Sequence, residues 1–76
     1  MKTIPTRMLV KLLRDAGTEV TPANQSGDSV VTFNGVAVFS HLATRKKDVP
    51  AGTYCDIRRR LRRFGLELPP VSAVGR

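Results

Sequence analysis

The chain predicts an α+β two-layer sandwich, built as helix, β-hairpin or three-stranded antiparallel sheet, then helix. Three observations carry this expectation. "TRMLVKLLRDAG" near the N-terminus has an apolar stripe at helical spacing, "SVVTF-NG-VAVFSHL" in the middle is two β-branched runs about an Asn-Gly pair, and "TYCDIRRRLRRFG" is a second apolar stripe set among arginines. Seventy-six residues, 41% hydrophobic and 25% charged, suffice for one small domain with a modest core. A small sheet offers one face to cover, so both helices are expected to pack on it.

In the first helix Leu9, Leu12, Leu13 and Ala16 share one face, while Arg7, Lys11 and Arg14 fall outside it and are expected in solvent. Thr6 is the expected N-cap and Gly17 the residue just past the end. "TEVTPAN" is at most an edge strand, because Pro22 has no N–H for a ladder. "QSGD" is a turn. Asn34-Gly35 is the hairpin signal, since both central residues of that turn need positive φ. In the returning strand Val36, Val38 and Ser40 are expected on one side, with Ala37, Phe39 and His41 on the other. "ATRKKDVPAG" reads as a polar loop. Thr53 then caps the second helix with Asp56 in the capping-box position, and Tyr54, Ile57, Leu61 and Phe64 form its apolar stripe up to Gly65. The domain is expected over residues 1–68, and residues 69–76, opening on Pro69 and Pro70, as an extended or disordered tail.

The formal charge is +7. Residues 45–63 hold eight basic side chains (Arg45, Lys46, Lys47, Arg58, Arg59, Arg60, Arg62, Arg63) against Asp48 and Asp56, and so carry +6 of it. On a helix turning about 100° per residue, Arg59, Arg62 and Arg63 lie opposite the Tyr54/Ile57/Leu61/Phe64 stripe, with Arg58 and Arg60 flanking it. Arginine binds phosphate bidentately and stays charged, so a polyanion, and nucleic acid first, is the partner this face suits. The bland alternative is a solubilising face whose cations favour the helix C-terminus. Three of the four aromatic residues read as core, leaving no exposed platform for stacking bases, which points to backbone and shape recognition.

Little else suggests chemistry. Cys55 is the sole cysteine, so neither an internal disulfide nor a CxxC zinc pair can form, and no cofactor or metal is expected. His41 is the sole histidine and the one candidate general acid or base; its bland reading is a partly buried residue at a strand end. No apolar run reaches signal-peptide or membrane-span length, so a cytoplasmic protein is expected.

Several motifs together resemble the HicA toxins of HicA–HicB toxin–antitoxin pairs. They are "LxKLLxxxG" (Leu9, Lys11, Leu12, Leu13, Gly17), a strand ending in His (Val36, Val38, His41), a "KD(L/V)xxGT" segment (Lys47, Asp48, Val49, Gly52, Thr53), and "IxxxLxxxGL" (Ile57, Leu61, Gly65, Leu66). The match spans Thr6 to Leu68. It implies a double-stranded-RNA-binding-like fold, mRNA as substrate class and a HicB-like antitoxin as partner. The family's second strand opens on "GSHxxF", whose His is catalytic; here the stretch is "GDSVVTF". Alignment on Phe33 puts Val30 at that position, and alignment on Gly27 puts Ser29 there. The loop between His41 and Asp48 is also about three residues longer than the family's, and Phe39 stands where proline is usual. The resemblance therefore implies a catalytically degenerate member. The expected function is binding of nucleic acid, RNA before DNA, through Arg45, Lys46, Lys47, Arg58, Arg59, Arg62 and Arg63. The alternatives are a residual ribonuclease centred on His41 and a module that captures an antitoxin or another acidic protein.

Overall fold

The computed structural model describes residues 2–74. Its elements are β1 (Thr3–Pro5), α1 (Thr6–Asp15), β2 (Glu19–Val20), β3 (Ser29–Phe33), β4 (Val36–Leu42), β5 (Asp48–Pro50), α2 (Ala51–Arg62) and a single helical turn α3 (Val71–Val74). This is the expected α+β arrangement, with a three-stranded antiparallel sheet in the order β2-β3-β4. β2 is the short edge strand that Pro22 requires. Asn34 and Gly35 take φ of 51° and 80°, the positive values of the tight hairpin turn, and Gly17 takes 99° just past α1.

One ladder was not foreseen. β1 and β5 pair antiparallel, with Thr3 opposite Pro50, Ile4 opposite Val49 and Pro5 opposite Asp48. A proline ends each strand, where its missing N–H costs the ladder nothing. Part of the segment expected as a polar loop is thus a strand with a fully buried partner: Ile4 is 0% and Val49 2% exposed.

The ladder also corrects both expected helix caps. α1 starts directly after Pro5, and Thr6 is its first helical residue. The Thr6 hydroxyl donates to the Lys46 carbonyl at 2.6 Å and its amide to the Lys47 carbonyl at 3.0 Å, so it bonds the loop and does not cap the helix. α2 likewise starts directly after Pro50, two residues before Thr53, and neither helix has a side-chain cap. Asp56, inside α2, faces Arg59 instead.

The helices sit on the sheet face that carries Ser29 and Val31. Leu9 and Leu13 of α1, Val31, Val38 and Leu42 of the sheet, and Tyr54, Ile57 and Leu61 of α2 form one cluster with Ile4, Val49 and Leu68. Val30 and Thr32, which alternate with Val31, are half-buried. Phe64 departs from its expected place in the stripe: it is 40% exposed, at the rim, edge-on to Phe33 at 6.0 Å. Of the four aromatic residues only Tyr54 is fully buried; Phe33 and Phe39 are half-buried.

The alternation expected along β4 fails for a defined reason. From Ser29 to Val31 β3 advances two residues while β4 runs from Leu42 to Phe39, and one further step takes β4 from Phe39 to Ala37. Each shift is a β-bulge with one extra residue on β4. Val38 is consequently buried, whereas Val36, Ser40 and His41 are exposed.

The chain beyond residue 68 is held where it is described. Leu68 is 3% exposed, the Tyr54 hydroxyl donates to the Pro69 carbonyl and Arg58 Nε donates to the Leu68 carbonyl at 3.1 Å. Val71 and Val74, in α3, pack on the core. The extended or disordered tail is thus corrected over residues 71–74: Pro69 and Pro70, well beyond the end of α2 at Arg62, do not prevent a new helical turn directly after them. Residues 75 and 76 lie outside the described residues.

Burial pushes the Tyr54 phenol above its ordinary value of 10.0; the Arg58 guanidinium opposes the shift and the Cys55 thiol adds to it. The folded protein therefore holds this proton more tightly than the unfolded chain does. That stability is complete below pH 10 and is lost as pH rises through the folded value. Tyr54→Phe should cost about 1 kcal/mol at neutral pH, because the Pro69 carbonyl loses its donor. It should also lose less stability than the wild type above pH 10. Thermal melts of both proteins between pH 8 and 11 check this; parallel curves would refute it.

Candidate nucleic-acid interface

The arginine run occupies α2 as its spacing demands. Tyr54, Ile57 and Leu61 are fully buried and hold the inner side of the helix, while Arg59, Arg62 and Arg63 are exposed on the outer side. Leu61, the one interruption in "RRRLRR", is the residue that orients the others.

The five guanidinium groups have distinct settings. Arg58 is half-buried and spends its Nε on Leu68. Arg59 lies 3.8 Å from Asp56, and Arg62 Nε lies 3.9 Å from Glu67. Both pairs are long and exposed, and such pairs contribute little to stability. Arg60 extends over the Phe39 ring, 5.5 Å from its centroid, within cation–π range. Arg63 has no acidic partner among the described residues. Arg59, Arg60 and Arg63 bound an open depression of about 290 Å³ with Asp56 on its edge. Arg58, Arg59 and Arg62 bound a second beside Cys55, of about 240 Å³. The Cys55 thiol is free and half-buried.

The loop residues do not join this surface. The β1–β5 ladder and the two Thr6 bonds draw residues 46 and 47 to the start of α1. There Lys46 and Lys47 line a groove of about 420 Å³ with Arg7 and Arg14 of α1, over Val10. Four cations and no carboxylate line it. Arg45 goes elsewhere again. Its stem lies over Gly27, where an added Cβ would meet Arg45 Cδ at 3.4 Å, and Gly27 takes φ of 85°. The basic window of the sequence is therefore split into the α2 face, the α1–loop groove and Arg45 on the turn before β3.

His41 is not the partly buried residue expected. Its side chain is 86% exposed and its backbone is left-handed, φ 64°. The bulges turn it outward, and its Nδ1 makes a long 3.4 Å contact with Asp28 Oδ2. Neither of the two positions that the resemblance aligned with a catalytic His offers an exposed proton-transfer group. Ser29 is fully buried and hydrogen-bonded to the Thr44 hydroxyl at 2.7 Å, and Val30 is half-buried and apolar. Among the described residues no three His, Cys, Asp or Glu side chains are grouped to hold a metal, and no helix is long and apolar enough to cross a membrane.

Sequence reasoning left out three arginines that the fold brings into play. Arg7 and Arg14 were visible as a basic stripe on α1, but only the β1–β5 ladder puts them beside Lys46 and Lys47. Arg60 was set aside as a flank; its place over Phe39 depends on a tertiary contact with no local signal. Comparison of the chain with family models, with curated proteins and with solved structures gave no match.

The settings separate structural from surface arginines. Arg58→Ala should lower stability by about 1 kcal/mol, since the Leu68 carbonyl loses its donor and the stem leaves the core margin. Arg59→Ala and Arg63→Ala should stay within about 0.5 kcal/mol of wild type. Urea unfolding of the three variants checks the order, and equal losses would contradict the assignment.

Proposed function

We propose that this protein binds nucleic acid, RNA in preference to DNA, through the arginine face of α2, as a HicA-like domain of double-stranded-RNA-binding-like fold without the family's catalytic histidine. The observation that carries the reading is the outer side of α2, where, among the described residues, the exposed arginines meet only two long contacts from carboxylates. Such a surface repels itself in water and is relieved by an anion. A phosphate backbone supplies regularly spaced oxygens that guanidinium forks take bidentately. The groove of Arg7, Arg14, Lys46 and Lys47 offers a second set of phosphate contacts. The preference for RNA rests on the HicA resemblance. The double-stranded-RNA-binding-like fold is supported by helices on one face of a three-stranded antiparallel sheet.

Phosphate contacts position a ligand without reading its sequence. Binding should therefore be similar across sequences and should weaken with salt at a log–log slope of about −0.9 per phosphate neutralised on B-DNA, with RNA alike in kind. The Arg59/Arg62/Arg63 triple alanine variant should reduce that slope by about 3 with little loss of stability. Gel shifts at several salt concentrations, run beside thermal melts, check both quantities. Normal binding by the triple variant would leave the arginine run a solvated surface. A partner captured after nuclease treatment, and lost in the same variant, would assign the face to an acidic protein such as a HicB-like antitoxin.

A second reading, slow ribonuclease activity, is favoured by one observation: exposed His41 has the Asp28 carboxylate beside its Nδ1. A carboxylate so placed orients an imidazole for proton transfer at Nε2. One general acid–base group is worth about 10² to 10⁴ in rate. Cleavage of a labelled RNA should then fall by a factor in that range in His41→Ala, and equal cleavage by the two proteins would remove this reading.

A further inference from the structure

We infer that the notch between β4 and α2 holds one unpaired base of the bound RNA, so that the ligand is a structured RNA with an unstacked nucleotide and not a plain duplex. This rests on the RNA-binding reading and adds to it a site that reads a base.

The notch is lined by Ala37, Val38, Phe39, Ser40 and His41 of β4 and by Arg60 of α2. Its volume is about 150 Å³, below the 300–1,000 Å³ usual for drug-sized ligands, which fits a single flat ring better than a cofactor. Two of its walls are planar. Arg60 holds its guanidinium carbon 5.5 Å from the centre of the Phe39 ring, within cation–π range, which keeps the planar fork at the wall of the notch, where a base can stack on it. His41 presents an imidazole that is 86% exposed, with Asp28 Oδ2 at a long 3.4 Å from Nδ1, which leaves both ring faces and Nε2 open. The Ser40 hydroxyl supplies a polar group that can meet a base edge.

The backbone has been bent to produce this. β4 carries two bulges within six residues, and His41 takes a left-handed φ of 64° that few residues other than glycine adopt. A regular strand would alternate Ser40 and His41 across the sheet; here both face solvent next to Arg60. Strain of this kind is retained where the surroundings use it.

The notch also adjoins the proposed phosphate path. Arg60 lines both the notch and the depression that it shares with Arg59 and Arg63. A backbone running along α2 therefore brings a base to the notch through a shared wall. A paired base cannot enter without leaving its stack, so a loop or bulge nucleotide is the one that fits.

Fluorescence anisotropy should compare a blunt RNA duplex, a hairpin with the same stem and a single-stranded loop, and that hairpin with abasic loop positions. The intact hairpin should bind about tenfold more tightly than the other two, the scale of one stacked base. A 2-aminopurine in its loop should change emission on binding. His41→Asn keeps a residue that tolerates left-handed backbone, and Arg60→Lys keeps the charge without the planar fork. Each should bring the intact hairpin down to the affinity of its abasic form. Equal binding of intact and abasic hairpins would overturn the notch while leaving the phosphate reading in place. Failure to bind any of the three RNAs at low salt would overturn both.

Discussion

The arrangement depends on the short ladder between β1 and β5. Three residue pairs join the N-terminal strand to a segment 45 positions away, with Ile4 and Val49 buried at the centre. Prolines close both strands, and each helix starts at the next residue. The ladder thus fixes where α1 and α2 begin and how they approach the sheet. It also draws the backbone of Lys46 and Lys47 onto Thr6, which is why the loop cations end beside α1 and not beside the arginines of α2. Closing so long a loop costs entropy, and the buried pair together with the bonds at Thr6 is what opposes that cost.

α2 has to satisfy two opposed demands. Concentrated positive charge favours an anionic partner but destabilises the compact state through self-repulsion. A domain of 76 residues has little core with which to oppose it. The inner side of the helix answers with Tyr54, Ile57 and Leu61, all fully buried. The segment after α2 adds to this: the carbonyls of Leu68 and Pro69 receive Arg58 and Tyr54, and Leu68 enters the core. Arg58, the arginine nearest the core margin, keeps its charge but also ties this segment to the helix. What remains on the outside is charge that needs no packing to keep its place.

Local signals settled much of this fold and stopped at a definite boundary. The stripes of α1 and α2, the Asn34-Gly35 turn and the short edge strand before Pro22 follow from periodicity and backbone preference, and each is present, save that Phe64 leaves the α2 stripe for the rim. The outward direction of Arg59, Arg62 and Arg63 followed from the Tyr54/Ile57/Leu61/Phe64 stripe and the helical repeat. The pairing of β1 with β5 did not, because three-residue strands ending in proline carry too little pattern to distinguish them from loop. Both helix caps were misplaced as a direct result, since Thr6 and Thr53 look like caps until a strand is seen to run into each helix. The bulges of β4 were equally hidden: alternation is the only rule the residues offer, and an extra residue breaks it without leaving a mark in the sequence. His41 was accordingly expected partly buried, and Arg60 was not linked to Phe39.

The packing at the start of β3 bears on how binding and chemistry separate under the proposed reading. A catalytic histidine at the opening of β3 would need an exposed side chain. Here Ser29 is fully buried and bonded to Thr44, so that position now ties the start of β3 to the loop after β4. An imidazole is larger than this fully buried hydroxymethyl group, so placing one there would require the surrounding packing to open. The arginine face makes no such demand on the interior, because its side chains project from a helix anchored on the opposite side. Packing at the start of β3 and the exposed arginine face of α2 are therefore independent: the first can change without disturbing the second. The outward turn of His41 then places the remaining imidazole beside Arg60, at the edge of that surface, where its flat ring and exposure suit contact with a base.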